Sequence, residues 1–266
     1  MITEYPTGAA FWEENCGFLN TNPYLSVFFK LDCPYLTQTD AENYALKCES
    51  GDHKLLAMKV IPFHLLLFGD AQCVPELLDF LMHSQYNVQN YLCASELGDA
   101  VRREFQTHYG IRYEEVLPMD FMEATEETEP SSAEVTAAAE SDLEEIWECL
   151  KHFIVDCGLS DQPRRENTER TIGAFRVIRE DGHVISMAKL VPATQIDIRI
   201  TNVYTRDAYR GKGYARKVVN TLKNEILAAG KAATLNVDRN NPITCHLYTS
   251  LGFKRIFSQG EFRRIN

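Results

Sequence analysis

A mixed α/β fold (α+β), with a mostly antiparallel central sheet flanked by helices, is predicted by three observations. Runs of β-branched and aromatic residues alternate with segments whose apolar residues recur at helical spacing. Asp181-Gly182 separates two strand-like runs and supplies the positive φ angles of a tight hairpin. Residues 204–215 join a strand-like run to a helix-like one through a loop rich in glycine and cationic side chains. Small residues at such a turn let the backbone approach an anion closely. The first N–H groups of the following helix have no partners of their own and point at it.

In the second half of the chain, Ser141-Asp142-Leu143-Glu144 reads as a capping box, with Ser141 as N-cap and Glu144 three residues on. The helix it opens carries Leu143, Ile146, Trp147, Leu150, Phe153 and Ile154 on one face and should end near Cys157-Gly158. The hairpin occupies residues 174–180 and 183–190. Ile198, Ile200, Asn202, Val203 and Tyr204 suit a buried strand before the loop. After it, Ala215, Val218, Val219, Leu222, Ile226 and Leu227 fall at helical spacing until Gly230 stops the helix. Residues 233–237 make a further strand, Pro242 opens a short helix, and residues 255–262 return as a last strand.

The first half repeats this order in weaker form. Residues 44–48, 54–60 and 63–68 are strand-like, with Gly51-Asp52 at the first turn. A helix starts near Pro75, residues 88–94 are strand-like, and Ser95 caps a second helix ending at Gly110. The repeat suggests duplication, the alternative being an unrelated α/β lobe. Gly69-Asp70-Ala71-Gln72-Cys73 stands in place of the cationic glycine loop and puts a carboxylate where an anion should sit. The expected organisation is an N-terminal lobe at 1–122, an acidic linker at 123–133 and a second domain at 134–266.

At 266 residues and 45% apolar composition, the chain can hold two modest domains, each with its own core. Its apolar runs, such as residues 61–68 interrupted by Pro62 and His64, fall short of the ~20 residues of a membrane helix. The opening residues show no basic segment followed by an apolar one, so no signal peptide is expected. Eight cysteines lie without a C-x-x-C pair or a matched Cys/His spacing, which suits reduced structural thiols in cytoplasm and no metal site. The formal net charge of −11 argues against nucleic-acid and anionic-membrane partners. No lysine or arginine occurs over residues 113–150. That acidic stretch reads as a solvated linker plus a helix face, the alternative being that it draws cationic substrates toward a cleft.

Three glycine-loop chemistries compete for the junction. The nucleotide-binding run Gly-x-x-x-x-Gly-Lys-Ser/Thr is absent. Gly211-Lys212-Gly213 begins a dinucleotide fingerprint, but Arg216 takes the last position, where close helix packing needs a small side chain. Arg210-Gly211-Lys212-Gly213-Tyr214-Ala215 meets the third pattern, Arg/Gln-x-x-Gly-x-Gly/Ala. Further on come Leu235-Asn236-Val237, then Asn241-Pro242-Ile243-Thr244-Cys245-His246-Leu247-Tyr248, then Leu251-Gly252-Phe253. With these motifs in this order, residues 134–266 resemble the GNAT N-acetyltransferase superfamily. The run through the loop also resembles a bacterial two-domain type in which a degenerate GNAT-like lobe precedes the active one.

The resemblance implies a GNAT-type acyl-CoA N-acyltransferase fold in the C-terminal half and a related or degenerate α/β lobe before it. It implies acetyl-CoA as cosubstrate, no metal, and an amine acceptor on a small molecule or peptide, in a monomer or homodimer. By position, Arg210, Gly211, Lys212, Gly213, Tyr214, Ala215 and Arg216 would hold the pyrophosphate, with backbone contact from Arg210 and Lys212 preferred to side-chain contact. Val203, Tyr204 and Thr205 would line the pantetheine arm along a splayed strand, and a backbone N–H there would polarise the thioester carbonyl. Asn241 would both cap its helix and bind the arm, with Asn236 a further arm contact. Tyr248 matches the tyrosine that protonates the departing thiolate; a phenol of pKa near ~10 keeps its proton at neutral pH and can give it to a thiolate. The acceptor is expected in a groove walled by Trp147, residues 160–171 and the first lobe.

The general base stays open. An amine of pKa ~10.4 is almost wholly protonated at neutral pH, so freeing its lone pair costs about 4 kcal/mol. Arg199, Thr201 and Asn202 stand where many relatives place a carboxylate. A water chain, a residue of the first lobe, or an acceptor of lower pKa could serve, and Asp238 is the nearest acid to the motifs. Direct transfer in a ternary complex is expected because no Cys or Ser has an evident paired base, Cys245 as nucleophile being the rival. A coenzyme A sensor without catalysis and a structural pairing protein are the alternatives of other classes.

Overall fold

In the computed structural model, which describes residues 1–158 and 163–266, the chain divides into two compact units. Residues 1–120, 238–240 and 257–266 form the first; residues 121–237 and 241–256 form the second.

The first unit starts with β1 (Ile2–Tyr5) and α1 (Gly8–Leu19). Thr7 caps α1, its hydroxyl accepting from the Ala10 N–H at 3.3 Å. After a short α2 (Val27–Asp32), the antiparallel strands β2 (Tyr44–Ser50), β3 (His53–Lys59) and β4 (Leu65–Gly69) follow. Gly51 at φ +61° makes the first of their turns. α3 (Val74–His83) crosses to β5 (Asn90–Ala94), which lies parallel to β4, and α4 (Ser95–Tyr109) stops at the left-handed Gly110. Ser95 does not cap α4: Ala94 holds the N-cap position and the Ser95 hydroxyl donates to Glu115 instead.

Strand alternation explains the apolar runs of this half. Tyr44, Leu46, Leu55, Ala57, Leu65 and Leu67 join a core with α3 and α4, while Ala45, Leu56, Met58, Leu66 and Phe68 join another with α1 and α2. Both faces are buried, so a strand such as Leu65–Gly69 shows no polar alternation.

β6 (Tyr113–Ala124) begins in the first unit and enters the second at Phe121. The second unit continues with β7 (Thr136–Ala137), α5 (Leu143–Asp156) and the short α6 (Arg165–Arg170). The Ser141 capping box does not form. A single 3-10 turn, Glu140–Asp142, precedes α5; Asp142 accepts from the Ala139 N–H at 2.6 Å and pairs with Arg179, which leaves Ser141 exposed. The hairpin of β8 (Phe175–Glu180) and β9 (His183–Pro192) turns at Asp181 and Gly182, with φ +51° and +84°. Then come β10 (Asp197–Thr205), α7 (Tyr214–Ala228), β11 (Ala232–Asp238), α8 (Pro242–Ser250) and β12 (Lys254–Arg264). In the second unit the strand order is β6-β11-β10-β9-β8-β7, antiparallel from β7 to β10 and parallel between β10 and β11. One face packs on α7 and α8 through Val218, Leu222, Tyr248 and Leu251; the other packs on α5 through Ile146, Cys149 and Leu150.

The predicted fold class therefore holds, with mostly antiparallel strands flanked by helices in each unit. The division of the chain differs from the linear one. Residues 257–266 close the first sheet, with Gln259 to Arg263 antiparallel to Asn90 to Ala94, because Phe262 is fully buried in the first core and stacks on Tyr91 at 4.8 Å. The acidic stretch is also more structured than a solvated linker. Its beginning is β6, and residues 128–132 lie along α7. The Asn220 side-chain amide donates to the Glu129 and Pro130 carbonyls, and the Asn224 amide donates to the Glu129 carbonyl. The fully buried Lys223 ammonium donates to Thr128 Oγ1 at 2.7 Å and to the Leu251 carbonyl at 2.8 Å. An extended segment without strand neighbours leaves its carbonyls unpaired, and α7 supplies the donors. Among the described residues no helix is long and apolar enough to cross a membrane.

Candidate functional site

β10 is irregular on both edges, and the site grows from that irregularity. Against β9, Thr201 pairs with Lys189 but Tyr204 pairs with Met187, so two residues oppose one and the strand bulges. Asn202 takes the positive φ, +50°, that this bulge needs; asparagine tolerates it better than a β-branched residue would. Against β11, the parallel pairing covers only Asp197 to Arg199 and then stops. Past Arg199 the two strands part, and the β10 backbone on that side is left to other partners. The far end of β10 is pinned to β9 instead: the Ser186 hydroxyl donates to the Tyr204 carbonyl at 3.2 Å, and the Arg206 N–H donates to the Ile185 carbonyl at 2.9 Å.

After β10 a 3-10 turn, Asp207–Tyr209, leads into Arg210-Gly211-Lys212-Gly213 and α7. Gly211 and Gly213 sit at φ +76° and +82°, and a Cβ built on either meets nothing within 4 Å. Backbone conformation, not crowding, requires glycine there, and the space outside stays open. Gly213 is the N-cap of α7 and has no side chain to occupy the first-turn N–H groups, which therefore face outward as anion donors.

The cations around this turn are unequally engaged. Arg210 donates to Asp156 at 2.5 Å and to the Thr205 carbonyl at 2.9 Å, and it pairs with Asp207. The Asp156 bond holds its pKa above the ordinary arginine value. Arg216 donates to Ser250 Oγ at 2.7 Å and pairs with Glu129. Lys212 lies over the Tyr209 ring at 5.1 Å and makes no ion pair among the described residues.

A cleft of about 870 Å³ joins these parts, lined by the end of α5, the end of β10, the glycine turn, the start of α7 and α8. Of the residues expected from sequence, Val203, Tyr204, Thr205, Arg210, Gly211, Gly213, Tyr214, Ala215, Arg216, Asn241 and Tyr248 line it. Lys212 and Asn236 do not. Asn241 caps α8, accepting from the Thr244 N–H at 3.2 Å. Tyr248 is buried, with its ring edge-on to Phe253 at 6.1 Å. Burial, then the neighbouring Cys157 and Cys245, push its phenol well above the ordinary tyrosine range, so it is a protonated donor at neutral pH. His246 is exposed, as its helix position suggests, yet it borders the cleft.

Sequence reasoning missed one wall: Phe153, Asp156 and Cys157 at the end of α5. The apolar stripe of α5 placed Phe153 toward the sheet, but nothing local signalled that Asp156 would reach Arg210. Part of the expected acceptor segment, residues 160–162, lies outside the described residues. Trp147 stacks under Lys151 at 3.9 Å and donates to the Pro163 carbonyl at 3.4 Å. The one acid on β10, Asp197, is fully buried and accepts from the hydroxyls of Thr194 and Thr234. Among the described residues no cluster of three or more His, Cys, Asp or Glu side chains could hold a metal ion.

Residues 137–253 match the model of the acetyltransferase (GNAT) family. No curated protein matches the chain. Among solved structures it is similar to a GNAT-family acetyltransferase from Colwellia psychrerythraea, at 9% identity and TM-score 0.64, over the whole of both chains. It is also similar to a GCN5-related N-acetyltransferase from Sphaerobacter thermophilus, at 15% identity and TM-score 0.62, over 98% of this chain and 95% of that one. A third similarity is to a GCN5-related N-acetyltransferase from Kribbella flavida, at 15% identity and TM-score 0.53, over 83% and 89%. At these identities the likeness is one of fold.

Proposed function

We propose that this chain, whose residues 137–253 belong to the acetyltransferase (GNAT) family, moves the acetyl group of acetyl-CoA directly onto a primary amine in a ternary complex. Family membership makes it an acyltransferase and implies acetyl-CoA. The observation that carries the finer reading is the single cleft in which an opened strand edge, a glycine-bounded helix N-terminus and a buried tyrosine meet. These residues fit the cosubstrate: the space outside Gly211 and Gly213 admits a pyrophosphate, and the free β10 edge admits the amide groups of a pantetheine arm. When bound, acetyl-CoA supplies an activated thioester.

In this reading the N–H groups of Tyr214, Ala215 and Arg216 hold the phosphates. Val203, Tyr204 and Thr205 line the arm, and a backbone N–H at Val203 or Tyr204 steadies charge on the thioester oxygen. Tyr248 donates its proton to the leaving sulfur. Asp197, whose two carboxylate oxygens accept from Thr194 and Thr234, is not the base in this reading, and the proton of the amine is lost to solvent.

The test is steady thiol release from acetyl-CoA with a panel of amines. Turnover that depends on the amine is expected, with log(kcat/KM) rising at unit slope toward the pKa of the acceptor. Binding of acetyl-CoA without turnover across the panel would favour a sensor. Incubation with acetyl-CoA alone should leave the protein unacetylated; an acetyl adduct lost in Cys245→Ala would replace direct transfer with a covalent route.

A further inference from the structure

We infer that the acceptor amine carries a carboxylate, held by Arg199 with Lys189 as the second cation, outside the cleft lining and earlier on the strand that ends in it; this rests on the acetyltransferase reading of that cleft. Arg199 is the last residue of β10 to pair with β11, so it stands where the two strands part. Its guanidinium lies 5.3 Å from the ring of Phe121 on β6. Because β11 runs between β10 and β6, the side chain extends across the face of β11 at the opening. The Nε atom is buried and donates to nothing among the described residues, and the guanidinium makes no ion pair there. Burial weakens the hold of this group on its proton, and the charge of Asp197 offsets that only in part.

Lys189 lies opposite Thr201 on β9, which by the two-residue alternation of strands is the face that carries Arg199. It is half-buried, its ammonium sits 5.2 Å from the Phe175 ring, and it too makes no ion pair among the described residues. Burial, then the charge of Arg170, lower its pKa. A chain of net charge −11 thus gathers cations on one sheet face, and the nearest carboxylate, Asp197, accepts from Thr194 and Thr234 and forms no ion pair with them among the described residues. Partly buried charges are ordinarily paired, since desolvation is otherwise uncompensated. On β11, Asn236 is on the same face two residues past Thr234, and its buried Oδ1 accepts from nothing among the described residues. Guanidinium donors on one strand and an amide acceptor on the other complement a molecule with a carboxylate and an ammonium.

The spacing narrows the class. Arg199 precedes Val203 by four residues, less than the ~13 Å of a regular extended strand because the Asn202 bulge lies between them, and the arginine side chain covers part of that distance sideways. The carboxylate is then several bonds from the reacting amine, as in an amino acid acetylated on a terminal side-chain amine or in an ω-amino acid.

The experiment compares 5-aminopentanoate and L-lysine with their carboxamides as acceptors, with acetyl-CoA affinity measured by calorimetry. In the wild-type protein kcat/KM for the acids should exceed that for the amides at least about tenfold. Arg199→Gln should raise KM for the acids by about 10- to 100-fold, the range of a charge-assisted bond. It should leave the amides and the acetyl-CoA Kd unchanged, and Arg199→Lys should recover part of the loss. Lys189→Gln, independent of whether the Arg199 variants fold, should raise KM for the acids severalfold. Amides as good as acids, or an equal loss on both at unchanged acetyl-CoA affinity, would overturn the proposal. A clear preference for O-phosphoethanolamine would replace carboxylate by phosphate and overturn it too. Failure of the wild-type protein to bind acetyl-CoA is the separate result that removes the acetyltransferase reading itself.

Discussion

Each unit contains a strand–turn–helix junction of the same order, and the two junctions part company at four residues. β4 passes through Asp70 and a 3-10 turn, Ala71–Cys73, into α3; β10 passes through Arg206 and a 3-10 turn, Asp207–Tyr209, toward α7. The first junction enters its helix there, whereas the second adds Arg210-Gly211-Lys212-Gly213. In the first, a Cβ on Gly69 would come within 2.1 Å of the Lys54 carbonyl oxygen, and Asp70 accepts from the Lys54 N–H at 2.9 Å, so the turn is closed by the neighbouring strand, β3. α3 then opens with Val74-Pro75, and proline has no N–H to offer an anion. In the second, the glycines face open space. The next helix differs in one side chain as well: the seventh residue of α8 is Tyr248, and the seventh of α4 is the buried Val101, which has no proton to give. A strand–turn–helix junction of the same order thus carries the proposed site in the second unit, where four more residues and a tyrosine hydroxyl are present, while in the first it is closed by packing.

The largest test removes the insertion. Deleting residues 210–213 makes the second junction resemble the first and should weaken acetyl-CoA binding by at least about 100-fold in calorimetry, since the helix-terminal donors lose their approach. Near-native affinity would break the comparison. Tyr248→Phe should leave that affinity intact and lower kcat by about 100-fold, within the range of general acid catalysis. Burial raises the pKa of this phenol, so its loss of the proton comes above the ordinary tyrosine range and kcat should stay level on the alkaline side up to about pH 10. A falling limb near pH 9 that Tyr248→Phe leaves in place would assign the acid elsewhere. The smallest effect is expected from Arg210→Ala. Its guanidinium is half-exposed and already engaged by Asp156 and Asp207, so affinity should fall about threefold or less and stability by under about 1 kcal/mol.

What the sequence made legible follows the range of the interactions. Arg210 to Ala215 could be read because a positive-φ turn before a helix must use glycine, and Asp181-Gly182 for the same reason. Asn241 before Pro242 fixed the start of α8, and its cap bond is present. Two caps were misread because a distant group competed: Asp142, paired with Arg179, ends the 3-10 turn before α5 and takes its N-cap position, and Glu115 took the Ser95 hydroxyl. α1 went unread, since Phe11, Trp12 and Phe18 do not stand out as an amphipathic stripe. β6 was hidden by Glu114, Glu115 and Asp120, which suggested solvent. Its place in the second sheet depends on pairing with β11, a contact across the sequence that no local window holds. Arg199 was noted only for the carboxylate it replaced; its burial and missing partner are properties of the folded sheet.

The first sheet is closed by residues 257–263, more than a hundred positions after the rest of it has been made. During synthesis the ribosome therefore releases a first unit whose β5 edge is bare until translation is nearly over, while the second unit receives its own strand, residues 121–124, ahead of everything else in it. Cutting the gene in the middle would not yield two independent proteins: each fragment would hold a strand that the other one lacks. The half of the chain that is born first is the last to be finished.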